Sequence, residues 1–149
     1  MTTYAIIDLD NCTSDDRWRR HYRDTGPNFH NYHSRAPWDK LANDWVFIRA
    51  KRNVIVTGRP VLYRPATEEW LRRNRINYHR LIMRPHDDVR PSVLVKKTFV
   101  ELFIQEEEGL QRSDIIMAAD DQDAVIEAYR SLDLPTFTVR IDEDTRAES

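Results

Sequence analysis

Residues Tyr4–Thr13, YAIIDLDNCT, join an apolar run to a pair of carboxylates. The run Tyr4–Ile7 has the composition of a buried strand, and Asn11 ends it because asparagine favours turns. Asp8 and Asp10, which follow the strand, repel each other and lose hydration there, so a fold keeps both only where another charge offsets them. A divalent cation such as Mg²⁺ supplies that offset through hard oxygen ligands. The alternative interpretation is a solvated strand end with two unrelated acids.

The composition describes a polar globular protein. The chain has 149 residues, of which 40% are hydrophobic and 32% are charged, and this length suffices for one domain with a core. No apolar run approaches membrane-spanning length, and the N-terminus lacks the pattern of a signal peptide. The single cysteine, Cys12, has no partner for an internal disulfide, which fits a reducing compartment. We therefore expect one cytoplasmic domain over residues 1–149, without a membrane partner, that ends in a flexible acidic tail at 142–149.

Charge is distributed unevenly along the chain. Residues 1–100 contain 19 Lys+Arg and 11 Asp+Glu, whereas residues 101–149 contain 4 and 14. Segments of opposite sign indicate a basic face for an anionic partner if they are separated in space. If the two segments intermix in one compact domain, the asymmetry disappears at the surface.

Hydrophobic periodicity divides the rest of the chain into alternating strands and helices. Predicted strands cover Asn53–Thr57, Arg80–Met83, Asp114–Ala119 and Thr136–Ile141. Predicted helices lie near Asp15–Arg23 and over Trp38–Ala50, Pro65–Arg73, Ser92–Glu108 and Asp121–Leu132. This alternation predicts an α/β fold with a central parallel five-stranded sheet that helices cover on both faces.

Polar groups stand where the predicted strands end. They are Asp8 and Asp10 after the first strand, Thr57, Gly58 and Arg59 after the second, Asp120 and Asp121 after the fourth, and Lys96 and Lys97 near the start of a helix. Ligands of open α/β sheets bind beyond the carboxyl ends of the strands, so these groups are expected to converge. Chance explains one acid-ended strand better than it explains the whole set.

These groups resemble the signature of the haloacid dehalogenase superfamily of phosphotransferases. That signature has D-x-D after the first strand, Ser or Thr after the second, a lysine in a later helix and an acidic pair after the fourth strand. Asp8-Leu9-Asp10, Thr57, Lys96 and Asp120-Asp121 occur in that order. The resemblance implies a three-layer Rossmann-like fold in which residues 13–37 form a small cap insertion.

Within the superfamily, short motifs resemble the 3′-phosphatase domain of bifunctional polynucleotide kinase–phosphatases. These motifs are Arg35-Ala-Pro-Trp-Asp39, Val56-Thr-Gly-Arg59, Thr67-Glu-Glu-Trp-Leu71, the run Met83-Arg84, Asp88-Val-Arg90 and Val95-Lys96, and Asp120-Asp121 with Val125 and Tyr129-Arg130. The likeness extends from Tyr4 to about Ile141. The sequence has no G-x-x-x-x-G-K-[ST] phosphate loop, so the kinase half is not matched.

The resemblance implies separate tasks for the two carboxylates of the first strand. Asp8 is expected to be the nucleophile that forms an aspartyl-phosphate. Asp10 is expected to be the general acid that protonates the leaving group and later activates water. Mg²⁺ is expected to be held by Asp8, by the backbone carbonyl of Asp10 and by an acid of the Asp120–Asp121 pair.

The resemblance also implies roles for the hydroxyl and cationic groups. Thr57 is expected to donate a hydrogen bond to a phosphate oxygen, and Lys96 to pair with Asp8 and the transferring phosphate. Lys97 competes for that role, but adjacent helical residues point about 100° apart, and the Val-Lys motif favours Lys96. The residues expected to contact substrate are Arg35, Gly58 and Arg59, of which the arginines offer bidentate donors.

The leading hypothesis is a Mg²⁺-dependent phosphomonoesterase that removes 3′-phosphates from DNA or RNA ends. A first alternative keeps the chemistry and takes nucleoside monophosphates or other small phosphomonoesters. A second is a noncatalytic phosphate- or nucleic-acid-binding module, favoured by three departures from the family pattern: Asn11-Cys12 for Gly-Thr, Ser92 for an acid and Gln122 for Arg. The Arg/Trp/Tyr segment 17–23 either stacks on bases or packs as an amphipathic cap.

Overall fold

Seven strands and four α-helices appear in the computed structural model, which describes residues 1–22 and 29–142. The strands are β1 (Tyr4–Ile7), β2 (Ser14–Asp15), β3 (Lys40–Leu41), β4 (Arg52–Pro60), β5 (Arg80–Arg84), β6 (Ile115–Asp120) and β7 (Thr136–Thr138). The helices are α1 (Phe29–Ser34), α2 (Arg64–Arg73), α3 (Ser92–Glu106) and α4 (Asp123–Arg130).

The central sheet has five strands in the order β5-β4-β1-β6-β7, and every neighbouring pair is parallel. This confirms the predicted α/β class and the parallel five-stranded sheet. The chain runs outward from β1 to β4 and β5 on one side and to β6 and β7 on the other. The carboxyl end of β1 therefore lies at the point where the strand order reverses, which is where α/β sheets bind their ligands.

Alternating side chains of β1 serve the two faces of the sheet. Tyr4 and Ile6 pack in a core with residues of α3 and α4, whereas Ala5 and Ile7 pack on the opposite side, where Val46 lies. Trp70, fully buried, brings α2 into the core on that side of β4. Because successive residues of a strand point to opposite faces, one apolar run supplies two cores and gives the three-layer fold.

A small insertion between β1 and β4 corresponds to the predicted cap. The strands β2 and β3 pair antiparallel, with Ser14 opposite Leu41 and Asp15 opposite Lys40. Between them lie α1 and two 3₁₀ helices, Arg17–Tyr22 and Ala36–Trp38. Residues 23–28 of the predicted cap at 13–37, which include Arg23 of the predicted helix Asp15–Arg23, lie outside the described residues.

The predicted helix over Trp38–Ala50 is wrong. Lys40–Leu41 is a strand that pairs with Ser14–Asp15, and only Asp44–Ile48 is helical, as a 3₁₀ helix. Asn43 precedes that turn with φ of 49°, a left-handed conformation that no continuous helix contains. The apolar residues that gave the segment its helical period therefore do not share one buried face, and Ile48 is 83% exposed.

Other boundaries shift by a few residues. Strand β4 does not end at Thr57 as predicted but continues to Pro60, with a register shift against β5 between Thr57 and Pro60. Strand β7 ends at Thr138 rather than at Ile141. Of the predicted acidic tail at 142–149, only Asp142 is described. Within the described residues, no helix has the length and apolar character needed to cross a membrane.

Candidate active site

The innermost feature of the site is a buried lysine that contacts two carboxylates. Lys96, in the second turn of α3, places Nζ 2.9 Å from Asp8 Oδ1 and 2.7 Å from Asp120 Oδ2. Asp8 follows β1, and Asp120 ends β6, the strand beside it. All three side chains are at least 96% buried. The fold thus brings together the ends of β1 and β6 and the start of α3, as the sequence predicted.

Asp121 completes a cluster of three carboxylates. Oxygen atoms of Asp8, Asp120 and Asp121 lie within 4.8 Å of one another. Asp8 Oδ2 is buried and accepts no hydrogen bond among the described residues. Three carboxylates whose hard oxygen atoms lie this close together fit Mg²⁺, which prefers such ligands. The residues present therefore suit the metal that the family implies.

Burial and mutual repulsion control the charge of this cluster. Removal from water, and then the neighbouring Asp120, raises the pKa of Asp8 well above its usual range, although Lys96 opposes that change. The same two carboxylates outweigh desolvation at Lys96 and raise its pKa. One ammonium cannot neutralise three carboxylates, so the cluster carries an excess of negative charge that a divalent cation would offset.

Asp10 faces different partners from Asp8. Its Oδ1 accepts hydrogen bonds from Arg19 Nη2 at 2.8 Å and from Arg59 Nη2 at 2.6 Å, and its Oδ2 lies 3.2 Å from Arg59 Nε. Both guanidinium groups are fully buried. Two rigid forks therefore fix the orientation of this carboxylate. The side chain of Asp10 does not belong to the three-carboxylate cluster.

Asp39 is the second carboxylate that binds the guanidinium of Arg19. Arg19 donates from Nε to Asp39 Oδ1 at 2.8 Å and from Nη2 to Asp39 Oδ2 at 2.6 Å. Asp39 also accepts a 2.5 Å hydrogen bond from Ser14 Oγ. Arg59 adds a longer ion pair to Asp39 at 3.8 Å. The result is a buried network of two arginines and two aspartates in which the insertion positions Asp10.

The predicted substrate-contacting residues occupy three different settings. Arg59 is enclosed in the network, where its Nη1 also donates to Thr67 Oγ1 at 3.1 Å. The carbonyl of Gly58 accepts a hydrogen bond from Arg84 Nε at 3.1 Å. The guanidinium of Arg35 lies 4.8 Å from the centre of the Tyr22 ring, and its Nε is buried without a hydrogen-bond partner among the described residues. Arg59 therefore contacts Asp10, whereas Arg35 lies within the insertion, beside Tyr22.

The hydroxyl of Thr57 lies beside the strand end that carries Arg59. Thr57 is buried, and its Oγ1 accepts a 3.2 Å hydrogen bond from the backbone N–H of Arg59. The hydroxyl proton remains available for a phosphate oxygen, because this contact uses Thr57 only as an acceptor. Lys97, the competing lysine, is partly exposed, and Lys96 alone of the two contacts the carboxylates among the described residues.

The departures Asn11, Ser92 and Gln122 all lie in supporting positions. Asn11 has φ of 60°, and its side chain donates to Asp121 Oδ2 at 3.2 Å and accepts from Arg20 Nη2 at 2.8 Å. Ser92 Oγ accepts a hydrogen bond from Arg84, and the backbone N–H of Gln122 donates to Asp120 Oδ1 at 3.0 Å. These residues hold the carboxylates and their loops in place.

Cys12 is a packing residue of the loop after β1. It is fully buried, and burial raises the pKa of its thiol well above the usual value. The carboxylates of the neighbouring cluster raise that pKa further. A thiol that keeps its proton is a poor nucleophile, so the role of Cys12 in this structure is packing.

Sequence reasoning missed Arg19, Asp39 and Ser14. Arg19 lies in a segment for which no family motif was recognised, and Asp39 was matched only as part of a motif. The cost of burying charge could have indicated these residues. Arg19 and Asp39 stand next to aromatic residues, and a charged side chain that folds inward with such neighbours needs a partner of opposite charge. That signal does not identify the partner, because the contacts join residues about 20 positions apart.

Comparison with protein families supplies the identity of the fold. The family model of the polynucleotide kinase PNKP phosphatase domain matches residues 2–143. The chain belongs to this family. Membership in the PNKP phosphatase family agrees with the motifs at Asp8, Thr57, Lys96 and Asp120-Asp121, which the structure gathers at one edge of the sheet. The comparison with curated proteins gives no match.

Two solved structures resemble this PNKP phosphatase-family chain over nearly its whole length. A chain of the Pnkp1/Rnl/Hen1 RNA repair complex has 29% identity and a TM-score of 0.76, with coverage of 97% of this chain and 44% of that one. A second structure, of the Pnkp1/Rnl/Hen1 complex, has 29% identity and a TM-score of 0.72, with coverage of 93% and 46%. The present chain thus spans less than half the length of these relatives.

Proposed function

We propose that this chain is a cytoplasmic, Mg²⁺-dependent phosphomonoesterase that removes 3′-phosphates from polynucleotide ends. The observation that carries the proposal is the arrangement around Asp8. Its Oδ1 is held by Lys96, while its Oδ2 is buried without a hydrogen-bond donor among the described residues. An oriented carboxylate with one uncommitted oxygen suits nucleophilic attack on phosphorus.

The residues divide the reaction into two displacements. Asp8 Oδ2 forms a bond to phosphorus as the bond between phosphorus and the 3′ oxygen breaks, which leaves an aspartyl-phosphate. Asp10 gives a proton to the departing oxygen and later takes one from the water that attacks the aspartyl-phosphate. Lys96 and Thr57 stabilise the charge of the transferring group. Asp8, the carbonyl of Asp10 and the Asp120–Asp121 pair would hold Mg²⁺, which would lower the repulsion between carboxylate and phosphate.

The small insertion favours a polynucleotide over a mononucleotide as substrate. The described part of the insertion consists of two strands of two residues each and short helices. A small cap suits a substrate whose chain continues away from the terminal phosphate. The nucleotidase alternative predicts a higher kcat/KM for nucleoside monophosphates than for 3′-phosphorylated oligonucleotides. The noncatalytic alternative predicts phosphate binding without turnover.

The test is phosphate release from a panel of substrates in the presence of Mg²⁺. The panel contains 3′-phosphorylated DNA and RNA oligonucleotides, a 5′-phosphorylated oligonucleotide and nucleoside monophosphates. We expect the 3′-phosphorylated oligonucleotides to have the highest kcat/KM. Asp8→Asn should abolish turnover, and rapid quenching of the wild-type reaction with 3′-³²P substrate should label the protein. Equal phosphate release by wild type and Asp8→Asn would falsify the mechanism, and faster mononucleotide hydrolysis would favour the nucleotidase.

A further inference from the structure

An open groove on the insertion presents two exposed tryptophans. Its volume is about 380 Å³, and its lining residues are Asp15, Arg17, Trp18, Trp38 and Lys40. Trp18 is 48% exposed and Trp38 is 63% exposed. Large aromatic side chains that stay in water are unusual in a groove, and they mark a surface that meets another molecule. We call this surface the tryptophan groove.

Cations surround the tryptophan groove. Arg73 lies 5.2 Å from the centre of the Trp38 ring. Lys40 is exposed and forms no ion pair within residues 1–22 and 29–142. Arg17 pairs with Asp15, the one acidic residue of the lining. Arg73 pairs with Glu69, so Lys40 is the cation at the groove that has no acidic partner among the described residues. A cation beside two exposed indole rings matches the combination of phosphates and bases in a single-stranded nucleic acid.

The tryptophan groove is joined to the active site by direct contacts. Trp18 Nε1 donates a 2.8 Å hydrogen bond to Asp39 Oδ1. Asp39 Oδ2 pairs with Arg19, which in turn pairs with Asp10. The indole of Trp18 is therefore held by the same network that positions Asp10. A rigid aromatic surface loses little conformational entropy when a base stacks on it.

We propose that the tryptophan groove binds the single strand that precedes the terminal phosphate, with bases stacked on Trp38 and Trp18 and backbone phosphates near Lys40. This inference rests on the proposed function and gives it a basis for preferring polynucleotides. A protein segment is the other possible occupant. The strand fits better because the lining offers aromatic rings and cations but no aliphatic side chain.

Binding of an oligonucleotide that cannot be hydrolysed separates the groove from the chemistry. The probe is a fluorescein-labelled single-stranded oligonucleotide with a 3′-hydroxyl, followed by anisotropy at low salt. We expect Trp38→Ala to weaken binding about 5- to 150-fold, the range for loss of one stacked base, and Trp38→Phe to weaken it less. Trp45→Ala is the matched control, because Trp45 is exposed but does not line the groove. Equal affinities of wild type and Trp38→Ala would overturn the proposal.

A charge reversal tests the electrostatic part of the same surface. Lys40→Glu should weaken binding and reduce the slope of log Kd against log salt concentration, because one phosphate contact is lost. Lys51→Glu, at an exposed lysine outside the groove, is its control. Equal losses in both variants would mean that only general charge attracts the strand, which contradicts a defined groove. A wild type that binds no oligonucleotide would assign the surface to a protein partner.

Kinetics then distinguish failure of the groove from failure of the proposed function. In Trp38→Ala, the ratio of kcat/KM for a 3′-phosphorylated oligonucleotide to that for a nucleoside monophosphate should fall by the factor seen in binding. In Trp45→Ala that ratio should not change. An active enzyme whose ratio is insensitive to Trp38 would overturn the groove alone. Oligonucleotide binding that depends on Trp38, without hydrolysis of any phosphomonoester, would overturn the proposed function alone.

Discussion

At the residue scale, Lys96 is the cation in contact with two of the three clustered carboxylates. Replacing it with methionine keeps the volume and the apolar stem but leaves buried negative charge without its partner. Breaking a buried ion pair in this way costs about 3–5 kcal/mol. We therefore expect Lys96→Met to lower the free energy of unfolding by about that amount in metal-free buffer, as measured by urea denaturation. Phosphatase activity should fall at least about 100-fold as stabilisation of the transferring group is lost.

Lys97→Met is the matched control for that substitution. Lys97 is the next residue of α3, is partly exposed and has no carboxylate partner within the described residues. Its replacement should change stability by no more than about 0.5 kcal/mol. Similar destabilisation of both variants would mean that the helix, rather than the ion pair, is sensitive to methionine.

The sequence predicts the residues of the three-carboxylate cluster more completely than those of the arginine network. Asp8, Lys96 and Asp120 each stand at the end of a strand or the start of a helix, where parallel topology fixes the direction of the side chains. Arg19 and Asp39 stand in short, irregular segments of the insertion. The insertion contains several arginines and aspartates, and no periodic pattern determines which of them fold inward. The pairs that they form can therefore be read only from the tertiary structure.

At the element scale, Asp39 attaches the insertion to the edge of the sheet that carries the candidate active site. It accepts hydrogen bonds from Ser14, Trp18 and Arg19. Asp39→Asn removes the charge that offsets the buried Arg19 and replaces one acceptor with a donor. We expect local opening of the insertion, seen as faster amide hydrogen exchange in residues 14–22 and 29–41. Exchange in β1 and β6 should change much less.

Asp15→Asn provides the comparison within the same ribbon. Asp15 pairs only with Arg17 among the described residues, and Arg17 is 53% exposed. Exposed pairs contribute roughly 0–1 kcal/mol, so hydrogen exchange in the insertion should stay close to that of wild type. An Asp39→Asn protein with wild-type exchange throughout the insertion would show that the apolar contacts hold it without the network.

The elements that the sequence predicted correctly are those with a continuous apolar pattern. The run Tyr4–Ile7 is buried on both sides, and β6 ends in Asp120 close to the predicted boundary. The segment Trp38–Ala50 has a helical period, yet its first part pairs with Ser14–Asp15. That pairing is a contact between distant parts of the chain, and Asn43 in a left-handed conformation interrupts any helix that the period favours.

At the scale of the whole molecule, buried His33 gives the stability a dependence on pH. His33 stacks on the Tyr63 ring with the ring centres 4.8 Å apart. Burial, with a further contribution from Arg59 and Arg19, lowers its pKa from 6.5 to about 3, although Asp10 opposes the shift. Between these two values the unfolded chain binds a proton that the folded chain does not. The contribution of His33 to stability therefore decreases as pH falls from about 6.5 towards 3.

His33→Phe keeps an aromatic ring beside Tyr63 and removes the titrating group. The free energy of unfolding of wild type, relative to that of the variant, should decrease between pH 7 and pH 4, with a slope of at most about 1.4 kcal/mol per pH unit. Urea denaturation of both proteins at several pH values measures this difference, and titration of carboxylates common to both cancels. Parallel stability curves would contradict the prediction, because they would show that folding does not change the pKa of His33.

Metal binding at the three-carboxylate cluster should stabilise the entire fold. The dependence of stability on pH that this cluster causes is opposite to that caused by His33. Because the pKa of Asp8 is raised in the fold, the folded chain holds a proton that the unfolded chain has lost, and the metal-free protein loses stability as pH rises from 3.8 through the folded pKa. Under the proposed function, Mg²⁺ would bind the deprotonated carboxylates and compete with that proton. Mg²⁺ at a concentration of 100 times its dissociation constant should stabilise the fold by about 2.7 kcal/mol.

The increase in Tm caused by MgCl₂ should therefore be larger at pH 7.5 than at pH 5, and small in Asp8→Asn. NaCl of equal ionic strength controls for screening, and an equal Mg²⁺ effect at both pH values would contradict binding at the cluster.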